Sequence, residues 1–173
     1  MKAKIFSERL TKIDDKVIVA GFFSDVRPLK GLAGEIDWLF NGEISRLILD
    51  GKINGQFGDS LLLYSNRLKT RNVLLLGMGK RENFDSAAVR NTTKSLAQKL
   101  DGINIKSFTI EILGSGYSSL EASAVLKLML SELRKIDDIY VNFFNPSVSH
   151  LSKGGIKGGD TELEIKLKEI LDS

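Results

Sequence analysis

At 173 residues the chain is long enough for one domain with a real hydrophobic core. Hydrophobic residues at 42% and charged residues at 27% fit a soluble globular protein, and no run approaches the roughly 20 apolar residues that span a bilayer. A net charge of +3 permits a basic patch without demanding nucleic acid, and the lack of cysteine excludes disulfides and thiolate chemistry.

The N-terminus MKAKIFSERLTK lacks the apolar stretch and cleavage site of a secretory signal, so a cytoplasmic location is expected. Short strands are predicted at 3–6, 16–22, 60–64, 72–77, 106–113 and 138–144. Several are continuous apolar runs, the pattern of strands covered on both faces. Helical spacing is carried by Ile36, Phe40, Ile44 and Leu47 or Ile48 across 34–49, and by Val89, Thr93, Leu96 and Leu100 across 85–100. The segment 118–134 is apolar nearly all round and predicts a buried helix, with Ser118 and Glu121 spaced as a capping box. The last segment, TELEIKLKEIL, alternates like a strand at Leu163, Ile165 and Leu167. Its Glu162/Lys166 and Glu164/Lys168 pairs favour helix instead. The order β-β-α-β-β-α-β-α-β-α predicts a single three-layer α/β/α domain over 1–173, with a mixed, mainly parallel sheet of about six strands. The stretch 145–160, NPSVSHLSKGGIKGGD, reads as a flexible loop or linker.

Three glycine motifs raise the question of phosphate binding. In NVLLLGMGKRENFD (72–85), Gly77 and Gly79 follow a strand, but Glu82 stands where a dinucleotide fingerprint needs its third glycine. Leu74 and Arg81 break the P-loop pattern, so a glycine turn before a helix capped by Asn83 or Asp85 is the simpler account. In GGIKGGDT (154–161), Asp160 replaces the phosphate-binding lysine, and Asp160 or Thr161 as a helix cap fits better. In ILGSGYSSLEAS (112–123), Gly114, Ser115, Gly116 and Tyr117 lead from a strand into a helix N-terminus, where free N–H groups and the helix dipole favour an anion. A tight turn with a helix cap is the alternative there. The basic residues Arg67, Lys69 and Arg71, with Lys80 and Arg81 after the next strand, would share one end of the sheet, as a solvated loop or a weak nucleic-acid contact. His150 is the only histidine and sits in a polar stretch, so neither a His-rich metal site nor a serine triad is expected.

The stretch 34–100 resembles the N-terminal domain of the leucyl (cytosol) aminopeptidases. It does so through DWLFNGEISRLI, GKINGQFGDSLLL, RNVLLLGMGKRENFD and AAVRNTTKSLAQKL. The flanks KVIVAGFFSDVRPLKGLAGEID (16–37) and SFTIEILGSGYSSLEASAVLKLML (107–130) resemble the two walls of the ADP-ribose cleft of macro domains. This resemblance implies a macro-like fold. It puts Gly31, Leu32, Ala33 and Gly34 in a first diphosphate loop and Gly114, Ser115, Gly116 and Tyr117 in a second.

The departures from both families limit the implied function. The aminopeptidase motif NTDAEGRL is absent, as are the roughly 300 residues of the dimetal domain that carries it, well beyond one domain of this size. No catalytic residue, metal site or cofactor is therefore expected. AGFFSD replaces the asparagine-bearing macro-domain segment, and Arg9 stands where an acid recognises adenine. The resemblance implies a non-catalytic domain for oligomerisation, regulation or binding, whose partner is another copy or a catalytic aminopeptidase. A binder of ADP-ribose or another nucleotide diphosphate, and a DNA-binding accessory domain, are the alternatives.

Overall fold

The strands β2 (Ile18–Phe22), β4 (Asn72–Gly77) and β5 (Ser107–Glu111) carry almost nothing but buried residues, because helices cover both faces of the sheet they form. The computed structural model describes residues 1–6, 9–144 and 162–172. Its six strands lie in the order β1-β6-β5-β2-β4-β3, with β1 at Lys2–Phe6, β3 at Ser60–Tyr64 and β6 at Tyr140–Phe144. Every pairing is parallel except β3 with β4, which form an antiparallel hairpin.

The pleat divides the core in two. Ile18, Ala20, Phe22, Val73 and Leu75 lie beneath α1 (Gly31–Leu39) and α2 (Glu43–Leu49). Val19, Leu74, Leu76, Phe108, Ile110, Val141 and Phe143 lie beneath α3 (Ser86–Gly102) and α4 (Ala122–Leu133). The last segment is helix α5 (Glu162–Asp172), which rests on β1 and α4 and buries Leu167. Leu167, Ile170 and Leu171 meet the core at helical spacing while Ile165 is exposed, which resolves the strand-like alternation. The linker-like stretch 145–160, the motif 154–161 and His150 lie outside the described residues.

One helix expected over 34–49 is two. The chain turns at Asn41 and Gly42, whose φ angles of 55° and 78° are left-handed, and this ends α1 before α2 begins. The apolar spacing runs through the break because α1 and α2 bury Ile36 and Ile44 against the same sheet face. Helix α3 is capped as expected, with the Ala88 N–H donating to Asp85 Oδ1 at 2.8 Å.

At the amino ends of the strands, Asp15, which precedes β2, ties β5 and β6 together. Its carboxylate accepts from Ser107 Oγ at 2.6 Å, Thr109 Oγ1 at 2.9 Å and Asn142 Nδ2 at 2.8 Å. Its own N–H donates to Thr70 Oγ1, which in turn donates to the Ile13 carbonyl. Bonds to a charged acceptor in a partly buried place each contribute about 1.5–3 kcal/mol, less what water restores. Asp15→Ala is expected to lower unfolding stability by about 3 kcal/mol, read as a lower urea midpoint at unchanged slope, with Asp15→Asn recovering part of the loss. An unchanged midpoint would remove Asp15 from the account of sheet stability.

Candidate functional site

The carboxyl ends of β2 and β5 flank the point where the chain changes direction across the sheet. After β2 it passes through α1 and α2 on one face towards β3 and β4, and after β5 it passes through α4 on the other face to β6. A crevice at such a switch point is the usual ligand site of an open α/β sheet. The two stretches read from sequence meet there, since a Cβ added to Gly31 would collide with Tyr117 Oη and with Glu111 Oε2.

Residues Gly31, Leu32, Ala33 and Gly34 do not form a loop. They are the first turn of α1, because Leu32, Ala33 and Ile36 share its buried face and draw the helix back to Gly31. One N–H group of this turn meets a carboxyl group from β5. The Leu32 N–H donates to Glu111 Oε2 at 2.9 Å in a buried contact. Glu111 is only 2% exposed. A helix N-terminus favours an ionised carboxylate by up to about 2 kcal/mol. Removing a charge from water costs several kcal/mol, roughly twice that or more. Burial wins, and the Glu111 carboxyl is pushed up from 4.5 to about 8. The Leu32 N–H and the Tyr117 hydroxyl oppose the rise, and the Glu35 carboxylate adds to it. At neutral pH the group is a carboxylic acid, able to donate through its O–H as well as accept.

Tyr117 closes the crevice from the other side. Its ring stands edge-on to Phe23 at 5.9 Å, and Phe23 stands edge-on to Phe84 at 5.0 Å. Burial, then the Glu111 charge, push its phenol up as well, which keeps it protonated. Tyr117 Oη lies close enough to Glu111 to affect its ionisation. Yet neither Oη nor Glu111 Oε1 meets hydrogen-bond geometry with any described group. Two polar atoms therefore converge, buried, at the N-terminus of α1.

In the stretch Gly114–Tyr117 much of the donor capacity is already used. The Ser115 N–H donates to the Ile112 carbonyl, and the Tyr117 and Ser118 N–H groups both donate to Gly114. The expected capping box is not formed, because α4 begins only at Ala122, after Glu121. Ser118 Oγ accepts instead from Leu120 N–H, inside the turn, and Glu121 accepts from Ser123 Oγ.

The glycines of NVLLLGMGKRENFD serve a close backbone approach. The N–H groups of Gly77, Met78 and Gly79 donate to the carbonyls of Asp59, Phe22 and Gly55. A Cβ on Gly77 would collide with the Gln56 carbonyl, and Gly79 has a left-handed φ of 79°. Asp59 holds this connection by accepting from the N–H groups of Asn54 and Gln56, each at 3.1 Å. The N–H groups of Gly77, Met78 and Gly79 are all used within the chain.

The basic residues do not gather at one end of the sheet. Arg67, Lys69 and Arg71 lie in the hairpin before β4, while Lys80 and Arg81 follow its far end, so the six residues of β4 separate them. Arg67 donates to the Leu39 carbonyl, Lys69 pairs with Asp14 at 2.7 Å, and Arg71 donates to Tyr64 Oη. Among the described residues no three His, Cys, Asp or Glu side chains come together as a metal site, and no helix is long and apolar enough to cross a membrane. Glu111 itself escaped the sequence reading. The signal available was an acid at the end of a buried strand, three residues before Gly114.

The sequence model described as "Cytosol aminopeptidase family, N-terminal domain" matches residues 18–133. Over 105 residues the chain is 33% identical to the probable cytosol aminopeptidase of Baumannia cicadellinicola subsp. Homalodisca coagulata, covering 60% of this chain and 20% of that protein. The chain spans about a fifth of the length of the curated relatives it matches. A solved macrodomain mutant of Oceanobacillus iheyensis superposes with a TM-score of 0.72 at 13% identity, over 98% of this chain and 89% of that one. Thermosipho africanus DarTG in complex with ADP-ribose superposes with a TM-score of 0.68 at 15% identity, over 99% of this chain and 46% of that one. The fold is macrodomain-like.

The Glu111 carboxyl gives the site a pH signature. Between 4.5 and about 8 the folded chain holds a proton that the unfolded chain has released, so stability falls as pH rises through that window. Below it the penalty vanishes, and above it the penalty is complete. Relative to the native protein, the advantage of Glu111→Gln is expected to grow by a few kcal/mol as pH rises through this window, to stay constant below it and to hold its full value above it. Urea unfolding of both proteins from pH 4 to 9 measures the difference, and a constant difference would contradict the assignment.

Proposed function

The chain belongs to the cytosol aminopeptidase family through its N-terminal domain, and from that premise we propose that this domain assembles and regulates rather than hydrolyses. One observation carries the reading. The crevice at the switch point is occupied by the chain's own Glu111 and Tyr117, with the Leu32 N–H already donating to Glu111. A domain closed there acts through its outer surface, and its partner is a further copy of itself or the catalytic part of a family member. A cytoplasmic setting follows from the same family reading.

A second reading keeps the crevice as a binding site for ADP-ribose or another nucleotide diphosphate. What favours it is the meeting of Gly31–Gly34 with Gly114–Tyr117 at one helix N-terminus, on a fold shared with a protein solved in complex with ADP-ribose. A diphosphate would have to displace Glu111 from the Leu32 N–H, because the carboxyl oxygen already occupies that position. A nucleic-acid role has less support, since the basic residues lie at opposite ends of β4 and several are held by Asp14, Leu39 and Tyr64.

Two assays on the purified chain separate these readings. With zinc or manganese added, no turnover of leucyl substrates is expected, and robust hydrolysis would overturn the non-catalytic reading. In a calorimetric titration with millimolar ADP-ribose, the closed crevice predicts no heat and no thermal shift. Saturable binding lost in Gly114→Val would replace the first reading with the second.

A further inference from the structure

The edge of the sheet at β3 carries an unguarded strand. Its sequence, Ser60-Leu61-Leu62-Leu63-Tyr64, has no charge and no proline, the devices that usually protect an edge. Leu61 and Leu63 turn inward against the α1 and α2 layer, while Leu62 and Tyr64 are 55% and 63% exposed. On its inner side β3 pairs with β4, Leu62 opposite Leu74. No described strand lies on its outer side.

The backbone of β3 is also directed outward in a regular way. The Ser65 N–H donates to Arg71, and the Gly77 N–H donates to Asp59, so residues 59 and 65 belong to hydrogen-bonded pairs with β4. In an antiparallel hairpin such pairs alternate. Leu61 and Leu63 therefore bond to β4 as well, and the N–H and C=O groups of Ser60, Leu62 and Tyr64 face the open edge.

We propose that β3 pairs with β3 of a second copy in antiparallel register about a two-fold axis at Leu62, joining two sheets into one. The proposal rests on the self-association reading above and names its surface. The register is self-complementary. Leu62 meets Leu62 of the other copy, and Ser60 meets Tyr64 in both directions. All three outward-facing residues then form hydrogen-bonded pairs, about six backbone bonds in total. Leu62 and Tyr64 of both copies lie on one face and cover each other.

Charge selects the antiparallel arrangement. The basic hairpin of Arg67, Lys69 and Arg71 follows one end of β3, and Phe57 and Asp59 precede the other. Parallel pairing would set the two basic hairpins side by side. Antiparallel pairing keeps them at opposite ends, each near the other copy's Phe57, which is 54% exposed, and Asp59.

Leu62→Lys and Leu62→Glu test the register, since both alter an exposed position and leave the core intact. Sedimentation equilibrium of the native chain is expected to show a concentration-dependent dimer. Each variant alone should associate at least tenfold more weakly while melting at the native temperature, because like charges would meet on the axis. Mixed in equal amounts, the two variants should recover a heterodimer. A dimer that persists in either variant overturns this interface while leaving self-association standing. Loss of the dimer without recovery on mixing overturns the register. A native chain that stays monomeric at every concentration overturns both the interface and the self-association reading.

Discussion

One buried carboxyl group, Glu111 at the end of β5, holds the carboxyl edge of the sheet together. It accepts from the first turn of α1, so a strand on one side of the crevice caps a helix on the other. The local geometry follows from that contact. Gly31 has to be glycine because Glu111 and Tyr117 occupy the space of any side chain. Tyr117 is fixed in turn by Phe23, and Phe23 by Phe84. Burial keeps the Glu111 carboxyl protonated near neutral pH, so the helix end is met by a neutral acid rather than a buried charge.

A second closure lies on the other side of β2. The turn at Gly77–Gly79 donates its N–H groups to Asp59, Phe22 and Gly55, and the 54–59 connection lies directly against it. Both closures use glycine for the same reason, which is room for a neighbouring part of the chain. The opposite edge of the sheet is tied by Asp15 across β5 and β6. With both ends of the strands bound up internally, the features still offered to a partner are on the outer surface, and the open strand β3 is the most regular of them.

Much of the architecture was legible in the sequence. β3 and β4 fall at 60–64 and 72–77, because uniform apolar runs bounded by polar turns leave little choice of limits. The break between α1 and α2 was visible only as Asn41-Gly42, and the apolar spacing on either side concealed it. The Ser118–Glu121 pattern has the composition of a capping box, but the chain makes another turn before α4, which no local pattern records. The meeting of Gly31 with Tyr117 followed from the family resemblance. What fills the space between them did not, since Glu111 acts through a contact 79 residues away in the chain. Pairing across such a separation is set by the sheet, and the sequence carries only its weak trace, an acid at the end of a buried strand.

The crevice stays closed only with Glu111 inside it and protonated. A carbon-13 titration of the side-chain carboxyl groups tests this directly, without unfolding the chain. One glutamate carboxyl is expected to titrate near 8 and to vanish from the spectrum of Glu111→Gln. If every glutamate titrates in the ordinary range around 4, Glu111 is solvated, the crevice is open, and the closed-domain reading is wrong.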